Sequence, residues 1–148
     1  MKRKVFITAF CISALLLFGT ITKAQSDKTY SDGPVWIIQF IQTKSGMRDA
    51  YLKDLSANWV KLEKAAKEQG IIMDYKIFST QAAAKTDWDL MLMTEVKNYA
   101  ALDGMDDKMT ALGRKILGSA DAEHQSATLR NNMRDRLGGR LAQELIFK

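Results

Sequence analysis

Glu95 has the clearest chemical potential of any residue in this chain. It lies in the run Trp88-Asp89-Leu90-Met91-Leu92-Met93-Thr94-Glu95-Val96, where strand alternation puts it on one face with Met91 and Met93. A carboxyl among methionines is poorly solvated, so its pKa rises and it can act as a general acid or base near neutrality. Gln39 is the polar exception in the first strand-like run, Val35-Trp36-Ile37-Ile38-Gln39-Phe40-Ile41-Gln42. A mostly apolar cavity with a few convergent polar groups describes a small-ligand site. On that basis Gln39, Met91, Met93 and Glu144 (or its neighbour Gln143) are candidate ligand-binding residues and Glu95 the candidate catalytic group, with Asp74 and Lys76 near the edge. The competing reading leaves Glu95 near its strand end, in water or in an ion pair between subunits.

His124, the one histidine, is the second catalytic candidate. Asp121 lies three residues before it, so on a helix the two share a face. A catalytic metal site usually takes a third protein ligand, and there is no second histidine to supply one, so no metal and no cofactor is expected. A helical histidine beside acidic residues is otherwise a solvated surface group. Arg130 and Arg134, one turn apart, could hold a carboxylate or phosphate, or else form a solvated face with Arg136, Arg140 and Asp135. The methionines read as adaptable core filler and Trp36, Trp59 and Trp88 as core anchors. The chain has no G-x-G-x-x-G, P-loop, H-E-x-x-H or G-x-S-x-G pattern, so the chemistries those patterns serve lose their usual signals.

The elements that must position these residues begin after residue 24. Met1-Lys2-Arg3-Lys4, the apolar run Val5 to Ile21 and Thr22-Lys23-Ala24 read as a secretory signal cleaved after Ala24. The alternative is a retained membrane anchor. Cleavage implies an exported, periplasmic or extracellular protein with no stable membrane insertion. It removes Cys11 and four of the 22 basic residues, leaving 18 against 17 acidic ones. A charge near zero gives no reason to expect a nucleic-acid partner. Without cysteine there is no disulfide and no thiolate ligand, so stability must come from the core and from association.

Residues 25–33 are polar and read as a flexible leader, and 34–148 as one domain. The first strand is apolar on both faces apart from Gln39, so both faces should be covered. From Met47 to Gln69 the period becomes helical: Tyr51, Leu55, Trp59, Leu62 and Ala66 are spaced four, four, three and four apart, and Gly70 suits a C-cap. Ile71 to Phe78 and Trp88 to Val96 form two strands joined by a polar hairpin loop. A short helical segment at Asn98 to Leu102 follows. The next helix runs to Leu117 with Asp106 or Asp107 as cap and Met109, Leu112 and Ile116 inward. A last helix carries Ala122, Ser126, Leu129, Met133 and Leu137 and stops at Gly138-Gly139, and a strand over Leu141 to Phe147 closes the chain.

The order β-α-β-β-α-α-β is that of an α+β, ferredoxin-like fold: a four-stranded antiparallel sheet with helices on one face and the first and third strands central. The cheapest cover for the second apolar face is another copy of the same sheet, which predicts a homodimer. The bulkier rows, Trp36-Ile38-Phe40 and Trp88-Leu90-Leu92, are expected to face the helices, and Gln39 and Met91-Met93-Glu95 the opposite, inter-subunit interior.

The stretches VWIIQFIQTKSG before a long helix, the IIMDYKIFS and DWDLMLMTEV pair, and the closing GGRLAQELIFK resemble the dimeric α/β-barrel superfamily over roughly Val35 to Lys148. The resemblance implies two sheets packed face to face around an apolar cavity. It also implies a small apolar or aromatic ligand, with cofactor-free oxygenase or isomerase chemistry among the superfamily's activities. The segment between Asn98 and Gly118 departs from the simplest pattern. The alternative function is a non-catalytic protein of the cell envelope whose barrel face is only a dimer interface.

Overall fold

The structure, a computed structural model, describes residues 28–118 and 120–148. The signal segment 1–24 and the head of the leader lie outside the described residues, as do the side chains of Asp121 and His124. The described chain is α+β: β1 (Tyr30–Thr43), α1 (Arg48–Leu55), α2 (Lys61–Glu68), β2 (Asp74–Ser79), β3 (Leu90–Val96), α3 (Met105–Leu117), α4 (Ala120–Met133) and β4 (Arg134–Phe147). The strands form one antiparallel sheet in the order β2-β3-β1-β4.

The ladder starts earlier than composition suggests. Tyr30, Ser31 and Asp32, assigned to the polar leader, pair with Phe147, Ile146 and Leu145. Backbone hydrogen bonding to a neighbouring strand outweighs polar side chains at a sheet's end. The larger correction is at the C-terminus. Gly138-Gly139 does not end a helix; α4 stops at Met133 and Arg134 already belongs to β4. The glycines serve the strand instead. Gly138 has φ 136° beside the bulge between the Phe40 and Ile41 pairings. A Cβ at Gly139 would sit 2.8 Å from the Ile38 carbonyl oxygen. Leu129, on the expected stripe of the last helix, is 61% exposed.

The long helix is continuous but not uniform. A π-turn, Ser56–Val60, joins α1 to α2, and the flanking residues keep right-handed helical dihedrals. One extra residue in a turn rotates everything after it by about 100°. Tyr51 and Leu55 before it and Ala66 after it are buried as the period predicts, and Glu63 is turned inward beside Ala66. Gly70, with φ 68°, takes the left-handed conformation past the end of α2. The Asn98 side chain accepts from the Ala101 N–H to cap the short 3₁₀ turn Tyr99–Leu102. Gly104, rather than Asp106 or Asp107, stands at the start of α3, and the two aspartates occupy its first turn, where the helix dipole favours them.

The core lies between the helices and one face of the sheet, in two clusters. One is Val35, Ala66, Ile72, Val96, Met105 and Leu112. The other is Ile41, Tyr51, Leu55, Leu90 and Leu92, with Trp59 and Met133 against it. The β2–β3 hairpin is tied down beyond them by Asp89. Its carboxylate accepts from the Thr43 N–H at 3.0 Å, the Thr43 hydroxyl and Arg48 Nη1 at 2.9 Å.

Candidate functional site

The register decides which residues share a face. Val35, Ile37, Gln39 and Ile41 pair with Val96, Thr94, Leu92 and Leu90, the buried row of β3, so all of them face the helices. Trp36, Ile38 and Phe40 pair with Glu95, Met93 and Met91 on the opposite, open face. The expected faces hold for β3 and are inverted for β1. Tryptophan and phenylalanine tolerate half exposure, whereas the fully buried positions went to the compact β-branched Val35 and Ile41.

The candidate residues therefore divide into two groups. Met91, Met93 and Glu95 lie half-buried on the open face, Glu95 between Trp36 and Asp74. Glu144 is exposed, follows the same side of β4 as Ala142, which pairs with Trp36, and crowds Gly33. Lys76 reaches the same face, its ammonium 4.8 Å from the Trp36 ring centre. Gln39 is on the other side and meets none of them. His124 is carried by α4, its side chain outside the described residues.

Gln39 does line a cavity, one on the helix side. It has a volume of about 500 Å³ and apolar walls made by Leu55, Trp59, Leu62, Leu92 and Met109. These walls come from both core clusters, so the cavity is the space between them. Sequence explains why the core does not close there. Gln39 interrupts the apolar row between Ile37 and Ile41, and its partner on β4 is Gly139, which adds no side chain. Opposite, Gly113 of α3 lines the cavity, and a Cβ there would meet nothing within 4 Å. The π-turn supplies Asn58 and Trp59 to the wall. The Trp59 ring is held edge-on by Tyr75 at 5.7 Å, and Asn58 donates to Asp54 Oδ1 at 2.7 Å.

Charged groups also line the cavity. Arg130 near the close of α4 and Arg134 at the start of β4 both line the cavity, as does Asp106 of α3. The Arg134 guanidinium lies 5.4 Å from the centre of the Tyr51 ring. Burial pushes the Tyr51 phenol above its ordinary pKa, with Arg134 pulling it partly back. Burial also lowers the Arg134 pKa, opposed by the neighbouring Tyr51. Outside the cavity, Glu63 is buried at 4% exposure and accepts from the Thr94 hydroxyl at 3.1 Å. Desolvation pushes its pKa up to about 7. Among the described residues no three histidine, cysteine, aspartate or glutamate side chains converge as a metal site.

The spacing of Arg130 and Arg134 is visible in the sequence, but the turn of the chain between them is not. The π-turn leaves no sequence signal that would have placed Asn58 at the cavity. No protein-family model and no curated protein matches the chain.

Proposed function

We propose that this protein binds a small, largely apolar or aromatic molecule in the cavity between its helices and its sheet. The observation that carries this reading is a partly open space of about 500 Å³ between the helices and the sheet, lined by apolar residues of both core clusters with charged groups among them. A concave space of this size with apolar and a few polar lining groups falls in the range of ligand pockets. The α1–α2 π-turn supports the same reading, since such turns recur at functional sites and this one faces the cavity. Oxygenase or isomerase chemistry has no support in the cavity, because Glu95 is on the other face of the sheet. The binding reading stands without it.

The test uses a neutral fluorescent probe, N-phenyl-1-naphthylamine, and the substitution Gly113→Leu. The probe should bind saturably with one site per chain. The new side chain fills the open space beside α3 and should weaken binding at least tenfold while the helix loses a poor helix former. Unsaturable binding, or binding unaffected by Gly113→Leu, would overturn the reading.

The open face favours a second feature, the pairing of two copies through their sheets on the ferredoxin-like, dimeric-barrel plan. Trp36, Ile38, Phe40, Met91 and Met93 form a half-buried apolar band there, flanked by Phe78 at 47% exposure. Such a band on an uncovered sheet is what a second copy would bury. The signal-like segment 1–24 supports an exported setting.

A further inference from the structure

We infer that the cavity's ligand carries a carboxylate, read by Arg134 with Arg130 beside it. The inference rests on the binding reading above and names the chemical class of the molecule. Arg134 Nε and Nη1 make no hydrogen bond and are closed to water, so a ligand reaches them when the side chain turns toward the cavity that Arg134 lines. Among the described residues neither Arg134 nor Arg130 forms an ion pair with a protein carboxylate. A guanidinium has five N–H donors, and leaving them unpaired away from water is costly. The Tyr51 ring satisfies the cation's face and none of its N–H groups.

The charges facing Arg134 give the sign of the partner. Arg130 from α4 and Arg136 from its own strand repel it, while Asp54 from α1 attracts it. Asp54 Oδ1 is engaged by Asn58 and its Oδ2 is buried without a partner, so the two unmet groups do not satisfy each other. Within the cavity lining two arginines stand against Asp106, an excess of one positive charge. A planar monoanion suits that excess, and its two oxygens suit the guanidinium fork. The apolar lining residues, Trp59, Leu62 and Met109 among them, then take an apolar body. The class is a small aromatic or aliphatic carboxylic acid.

Calorimetric titration of the full chain at pH 7.5 and low salt with 4-phenylbutanoate and its uncharged amide, 4-phenylbutanamide, tests this. The acid should bind roughly 10–100-fold more tightly than the amide, the factor expected of a charge-assisted hydrogen bond. Arg134→Gln should bring that ratio close to one, chiefly by weakening the acid, and Arg130→Gln should lower it in part. Equal binding of acid and amide by the unsubstituted protein, which needs no variant to fold, would overturn the inference. So would a ratio that survives both substitutions. If neither compound binds while the neutral naphthylamine does, the carboxylate inference falls alone. If the naphthylamine also fails, the cavity reading falls with it.

Discussion

Glu63 is the residue whose environment is most at odds with its chemistry. Its carboxyl titrates near 4.5 in the unfolded chain and is raised to about 7 by burial in the native state, with the Thr94 hydroxyl opposing the shift. The folded state therefore binds the proton more tightly. The stability contributed by neutral Glu63 is fully present below about pH 4.5 and is lost as the pH rises through about 7. The span of that loss is about 3 kcal/mol at most. Glu63→Gln keeps the shape and a hydrogen-bonding group without the ionisation. Urea unfolding should find the variant close to the parent at pH 5 and more stable at pH 8. A variant less stable at both would mean that ionised Glu63 is well accommodated. The exposed Lys67–Asp74 pair, 2.7 Å apart, works in the opposite sense, holding the Asp74 carboxyl below its ordinary range.

At the scale of elements, the contact between β1 and β4 depends on an absent side chain. Gly139→Ala places a methyl 2.8 Å from the Ile38 carbonyl oxygen, a backbone atom that can yield only by moving a central strand. A loss of about 1–3 kcal/mol is expected, read as a lower urea midpoint with an unchanged slope. This pair of glycines also shows where sequence reasoning stopped. Two glycines after a helical stripe mean a helix end by local rules, and a bulge in a strand satisfies the same local pattern. Only the partner strand separates the two, and that contact is long-range. The inward stripe of the long helix was legible from Tyr51 to Ala66, because its period carries through. What the spacing did not anticipate is Glu63, which is buried beside Ala66 after the π-turn. The alternation of β3 was legible in full, whereas β1 is apolar on both faces, and an alternating strand of that kind carries no mark of which face is inside. The candidate site inherited that ambiguity: Gln39 lines a cavity, but on the side away from Met91, Met93 and Glu95.

For the whole molecule, the two faces of the sheet differ in what they present. The helix side encloses the cavity, and the open side carries the aromatic and methionine band. Paired charge on that band should therefore disturb association and spare binding. Phe40→Glu, set opposite Met91, is expected to shift the sedimentation coefficient from dimer to monomer while the neutral probe still binds. A parent protein that sediments as a monomer would remove the sheet-to-sheet pairing and leave the cavity reading in place. No helix of the described residues is long and apolar enough to cross a membrane.

The division of the interior has one more consequence, for cooperativity. β1 and β3 each run through both apolar clusters, so two small cores are strung on the same two strands with a gap between them. An occupant touching Leu62 and Met109 on one side and Tyr51 and Leu55 on the other would splice those cores into one. Loading would then govern how far the two halves of the molecule melt as a single unit, and the sharpness of unfolding would record whether the space is filled.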